Sequence, residues 1–245
     1  MKYLALSCAV ALAAGPARAE DVPYDVGGVS FTGYFAAAAD PKGLVLIVHD
    51  WDGMTDYERK RADMLAELGY DAFALDMFGD GTPTATVDDR RAATGALYRD
   101  RARMRALIKA GSDQARALSS AQGMITAGYC FGGAVTLEMA RSDMADDAVG
   151  FASFHGGLST PEGQGWDGGE PPLLILHGGA DSSVKMTDVA GLVGELEAAG
   201  TPYEIEIYSG APHAFTVFGS DRYREVADRQ SWDAFTGFLK ERLGG

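Results

Sequence analysis

Gly128-Tyr129-Cys130-Phe131-Gly132-Gly133 decides how this chain is read. It ends the apolar, β-rich run Met124–Tyr129 and opens a helical pattern over 131–141. A reactive side chain between glycines at a strand-to-helix junction is the nucleophile-elbow pattern, here with Cys at the centre. The glycines have a steric purpose. The central residue sits on a strained turn whose backbone would clash with side chains at the flanking positions. The same turn aims the thiol at a helix N-terminus, whose positive end favours a thiolate.

Outward from the elbow, β-rich runs at 29–35, 44–49, 70–75, 149–154, 173–177 and 203–208 alternate with helical patterns at 56–68, 88–118, 185–199 and 221–243. Runs such as Leu44-Val45-Leu46-Ile47-Val48 are continuously apolar, as strands buried on both faces should be. Gly69 and Gly200 follow the ends of two helices, in the role of a left-handed C-terminal stop. The alternation predicts one α/β domain over 20–245, with a mostly parallel sheet flanked by helices on both faces.

In such a sheet, ligands bind at the carboxyl ends of the strands. The loop after 173–177 presents Asp181 from Gly178-Gly179-Ala180-Asp181, and the loop after 203–208 presents His213 from Gly210-Ala211-Pro212-His213. Nucleophile, acid and base therefore occur in the chain order an elbow requires. His155 and His177 also end strands but fall outside that order, and structural roles are expected for them. No histidine has a second ligand at i+3 or i+4, so no metal site is expected. The first oxyanion donor is expected from the N–H of Phe131, and the second from Trp51 in His49-Asp50-Trp51-Asp52-Gly53. Asp52 reads as a solvated, helix-capping charge.

The whole sequence has 245 residues, 47% of them apolar, with 35 acidic and 21 basic side chains and a formal charge of −14. That size and composition fit one buried core and exclude collagen, coiled coil and disorder. The acidic balance argues against a nucleic-acid partner. Lys2, the apolar stretch 3–14 and Ala17-Arg18-Ala19 read as an export leader cleaved after Ala19. The apolar stretch is short of the roughly 20 residues of a membrane span, so no stable insertion is expected after cleavage. Removal of Lys2 and Arg18 takes the charge from −14 to about −16. Cys8 leaves with the leader, so the exported, periplasmic or secreted chain would carry Cys130 as its one cysteine. An unpaired thiol in an oxidising compartment has to be buried or used.

Together the elbow, the H-D-W-D-G loop, the G-G-A-D turn and the A-P-H-A-F segment resemble the dienelactone hydrolase family, from about Gly27 to Leu243. That family is a cysteine-nucleophile branch of the α/β-hydrolase fold. The resemblance implies Cys130 as nucleophile, His213 as general base and Asp181 as its orienting acid. It also places Asp50 where the family carries an acidic residue, more often Glu, that contacts the thiol and helps form the thiolate. The founding enzymes clamp a substrate carboxylate with two arginines, one of them four residues after the catalytic histidine. This chain has Val217 there, and the other would lie near Arg90 or Arg91.

The expected chemistry is acyl transfer from a small ester or lactone to Cys130, followed by hydrolysis of the thioester, with no cofactor. With Val217 in place of an arginine, neutral substrates are expected to serve better than carboxylate-bearing ones. A non-catalytic binding module and a thiol redox sensor are the competing readings. A sensor usually needs a resolving cysteine. The chain is expected to act as a monomer or small homo-oligomer. The sequence leaves open whether loop 159–172 folds over the site as a lid.

Overall fold

The computed structural model describes residues 18–142, 144 and 147–244. Eight strands form one sheet: β1 (Arg18–Val26), β2 (Val29–Ala37), β3 (Leu44–Val48), β4 (Asp71–Leu75), β5 (Met124–Tyr129), β6 (Ala148–Phe154), β7 (Leu173–Gly178) and β8 (Tyr203–Tyr208). Their spatial order is β1-β2-β4-β3-β5-β6-β7-β8. β1 and β2 are antiparallel to their neighbours, and the six strands from β4 to β8 run parallel.

Six helices cover the faces: α1 (Asp56–Glu67), α2 (Val87–Arg99), α3 (Arg101–Leu118), α4 (Phe131–Ala140), α5 (Met186–Ala199) and α6 (Glu225–Leu243). β3 shows why both faces need cover. Leu44, Leu46 and Val48 pack into one apolar cluster with α3, α4 and α5, whereas Val45 and Ile47 pack into another with α1 and α6. The two-residue period of a strand sends alternate side chains to opposite layers.

Three features differ from expectation. Strand β1 is an addition to the expected runs, and Arg18 and Ala19, at the end of the expected leader, are its first residues and pair with Ala37 and Ala36. The rest of the expected leader lies outside the described residues. The helix expected over 88–118 is two helices, because Asp100 leaves helical geometry (φ −121°, ψ 79°) and caps α3 through Arg103 N–H at 2.9 Å. The last helix begins at Glu225 rather than 221. Gly69 and Gly200 do take positive φ, 91° and 78°, at the helix ends. Among the described residues, no helix is long and apolar enough to cross a membrane.

Candidate active site

Cys130 follows β5 directly and caps α4 with φ 51° and ψ −109°, a conformation an L-residue adopts only under constraint. The constraint is visible at its neighbours. A Cβ on Gly128 would lie 2.0 Å from Gly132 O, and a Cβ on Gly132 would lie 2.1 Å from Val48 O. Only hydrogen at both positions lets α4 descend this close to the sheet. The Cys130 N–H is satisfied by Phe154 O at 3.0 Å.

Asp181 and His213 arrive from the ends of β7 and β8. Their loops are laced together by Gly179 N–H to Tyr208 O at 2.8 Å and Ala180 N–H to Ala211 O at 3.0 Å. His213 Nδ1 is 2.7 Å from Asp181 Oδ2, and its Nε2 is 3.1 Å from Cys130 Sγ. Asp181 Oδ1 accepts the N–H groups of Ser183 and Val184 at 2.8 and 2.9 Å. Burial works against its charge, but the His213 bond and these donors outweigh it and hold the carboxyl below its ordinary range. An ionised Asp181 fixes the tautomer that leaves Nε2 free to take a proton.

The backbone N–H groups of Phe131 and Trp51 act on the thiol to lower its pKa. Burial pushes the thiol well above its ordinary value, an ionised Asp50 would add to that, and the two N–H groups oppose it. Asp50, 5% exposed, lines the same cavity as Cys130.

A cavity of about 430 Å³ opens in front of Sγ. Trp51, Arg91 and Val217 line it, as expected of substrate-side residues. Arg90 does not. Its Nε bonds Thr84 O at 2.7 Å, it faces Asp52 at 3.8 Å, and its guanidinium lies over the Trp51 ring. Asp52 is thus paired to Arg90, not merely solvated. Loop 159–172 contributes nothing to the cavity lining. It is fastened to α4 and α5 through Gln164 to Glu138 at 2.9 Å and Trp166 Nε1 to Glu195 at 3.3 Å, away from the cavity.

His155 and His177 are buried, and the catalytic pairing passes both by. His155 Nε2 is 2.8 Å from Thr216 Oγ1, and its ring stands edge-on to His213 at 5.3 Å. Burial and the neighbouring His213 push His155 well below its usual pKa, so it stays neutral. Among the described residues, no cluster of His, Cys, Asp and Glu could hold a metal.

Among the cavity residues that sequence reasoning missed are Tyr57, Glu58 and Arg222. Tyr57 O–H pairs with Thr216 Oγ1 at 2.7 Å, tying α1 to the His213 loop. Arg61, one turn on, bonds Thr216 O at 3.1 Å and pairs with Asp228.

A cysteine elbow and a histidine–aspartate relay on a mostly parallel sheet fit a hydrolase of the α/β type. The model of the dienelactone hydrolase family matches residues 31–243, and the chain belongs to that family. It is 26% identical over 236 residues to the Salmonella typhimurium protein named "Putative carboxymethylenebutenolidase", covering 89% of this chain and 82% of that one. The solved structure titled m3DLH superposes with a TM-score of 0.82 at 29% identity, covering 93% of this chain and 99% of the other. P91 from metagenomic libraries, titled a dienelactone hydrolase-like promiscuous phosphotriesterase, gives a TM-score of 0.82 at 27% identity over the same shares.

Proposed function

We propose that this protein cleaves small esters or lactones through a Cys130–His213–Asp181 triad. The observation that carries the reading is the relay of 3.1 Å from Sγ to His213 and 2.7 Å from His213 to Asp181. His213 Nε2 takes the thiol proton as Sγ attacks the acyl carbon, and the C=O electron pair moves onto oxygen. Phe131 and Trp51 N–H groups bind that oxyanion. Collapse expels the alcohol oxygen, which receives the proton from His213 and leaves a thioester on Cys130. Water then attacks the thioester with His213 as base, releasing acid and thiol.

Turnover of p-nitrophenyl acetate with an initial burst, abolished in Cys130→Ala, tests this. A non-catalytic binding module would give no burst, and a redox sensor would react with peroxide without turning over ester.

We further propose export. Leader cleavage after Ala19 would leave Glu20 at the head of β1, removing only its two terminal pairs, Arg18 with Ala37 and Ala19 with Ala36. Amino-terminal sequencing of protein from the periplasmic fraction should begin at Glu20. Full-length chain in the cytoplasm would end that proposal.

A further inference from the structure

Among the described residues, the non-glycine positions with positive φ are Cys130 (51°), His155 (42°) and Ala214 (61°). All of them are at the active site. Cys130 is the centre of the elbow, Ala214 follows His213 directly, and the His155 ring stands edge-on to His213 at 5.3 Å. An L-residue keeps such a conformation only where its surroundings over-determine it. The elbow glycines do this for Cys130. On the side of His213 a single threonine links the two strained positions.

Thr216 is fully buried, three residues after His213. Its Oγ1 lies 2.8 Å from His155 Nε2 and 2.7 Å from the Tyr57 hydroxyl. One oxygen thus joins the end of β6, the first turn of α1 and the loop that carries His213. The Thr216 carbonyl accepts Arg61 Nη2–H at 3.1 Å, and Arg61 is itself held by Asp228 on α6. On either side, Phe215 O accepts the Arg224 N–H at 2.9 Å and Ala214 O the Val217 N–H at 3.2 Å. These carbonyl bonds fix the course of the backbone, and the hydroxyl fixes the ring beside His213. His155 Nδ1 is buried and has no hydrogen-bond partner among the described residues, so the bond to Thr216 is what orients this imidazole. Without it the ring would be buried wholly unpaired, and it would turn or shift to recover a partner. His213, against which the ring stands, would feel that shift.

We propose that Thr216 is a positioning residue for the general base: its hydroxyl, shared between His155 and Tyr57, holds His213 where Nε2 reaches Cys130 Sγ while Nδ1 keeps Asp181. Thr216 does not line the cavity and touches none of the reacting atoms. It acts through the His155 ring and the strained Ala214 peptide. The proton still passes from the thiol to His213 Nε2, and Thr216 sets how well the imidazole is aligned to take it. Misplacing a reacting group by ~1 Å costs about a hundredfold in rate, so the effect belongs in kcat rather than in KM.

This inference rests on the hydrolase reading, so its test includes measurements that need no ester. Thr216→Val keeps the shape and loses the hydroxyl, whereas Thr216→Ser keeps the hydroxyl. Both are compared with wild type by p-nitrophenyl acetate kinetics and by alkylation of Cys130 with iodoacetamide at pH 7. Proton NMR follows the downfield resonance of the His213 Nδ1–H, assigned by its absence in His213→Ala. Thr216→Val should lower kcat by about ten- to a hundredfold with KM within about threefold, slow alkylation, and shift or broaden the resonance. Thr216→Ser should restore all of these to within about threefold of wild type. Leu239→Ala, a core truncation on α6, should lower the melting temperature and leave kcat and the resonance unchanged. Tyr57→Phe removes the other partner, and its loss combined with Thr216→Val should be smaller than the product of the separate losses, because both delete one bond. Wild-type kcat or an unmoved resonance in Thr216→Val, equal losses in the valine and serine variants, or the same losses in Leu239→Ala would overturn the proposal. If Thr216→Val does not fold, Tyr57→Phe must show the lowered kcat and the disturbed resonance, and wild-type behaviour there overturns it. Absence of ester turnover in wild type, with alkylation and the resonance still lost in Thr216→Val and restored in Thr216→Ser, would sink the hydrolase reading and leave this one standing.

Discussion

Gly132 and Val48 are in such close contact that the first turn of α4 rests on the carbonyl end of β3: a Cβ on Gly132 would stand 2.1 Å from Val48 O. The obstacle is backbone, which cannot rotate aside. Gly132→Ala should therefore lower stability by about 1–3 kcal/mol or more and lift the nucleophile away from its donors. Denaturant titration checks the first effect and iodoacetamide kinetics the second. An alanine variant with normal stability and a normal thiol would mean that α4 does not sit as described.

Removing members of the relay should have unequal effects. Cys130→Ala and His213→Ala are expected to bring ester turnover near background. Asp181→Asn, which spoils the tautomer and leaves the nucleophile, should cost about 10²–10⁴-fold in kcat. Thermal melts of each variant separate chemistry from folding. Full activity in His213→Ala alongside loss in His155→Ala would reassign the base.

Much of this relay was legible in the sequence because each member sits where a strand ends, and strand ends in a parallel sheet converge on one edge. Cys130, Asp181, His213 and the Trp51 loop are all such positions. What escaped has physical reasons. In β1 a single residue, Val22, is buried, so the segment lacks an apolar signal and gives no sign of a strand. The break at Asp100 falls within a run of good helix formers and is set by a side-chain cap. Glu58 sits three residues after Thr55, and the pair does form a capping box, which is the local reading of T-x-x-E and hides the bond that Glu58 also accepts from the Asp50 N–H. Arg222 comes to the cavity because the segment between β8 and α6 folds back, and no periodicity announces that.

The buried carboxyl pair also predicts how stability varies with pH. Burial first, then the Glu58 charge, raises the Asp50 pKa well above its ordinary value. A carboxyl whose pKa is raised by folding binds its proton more tightly folded than unfolded. Stability is then lost as pH climbs above the ordinary carboxyl range, until the folded group ionises too. Asp50→Asn should be more stable than wild type at neutral pH, and the advantage should shrink toward pH 4. Melting temperatures at several pH values, with no dependence of the difference on pH, would contradict this.

Substrate charge is the next point of test. Val217 lines the cavity, and the exposed Arg91 and Arg222 stand at its mouth. Exposed guanidinium groups are screened and hold an anion less firmly than a buried bidentate clamp. A neutral methyl ester should thus have a higher kcat/KM than the matching carboxylate at moderate salt. Low salt should narrow the gap, and Arg222→Ala should widen it by a few-fold. An anion preferred at every salt concentration would show that Arg91 and Arg222 act as a true clamp.

With Gln164 and Trp166 anchored on α4 and α5, the loop after β6 stays clear of the thiol, and an acyl group on Cys130, as proposed above, would face solvent past this loop. Whatever nucleophile is abundant in that solvent then competes with water for the thioester. The partition between hydrolysis and acyl transfer would be set by the medium, so adding methanol to an ester reaction should divert product to the methyl ester in proportion to its concentration. An enzyme built this way is a potential transacylase wherever alcohols are plentiful.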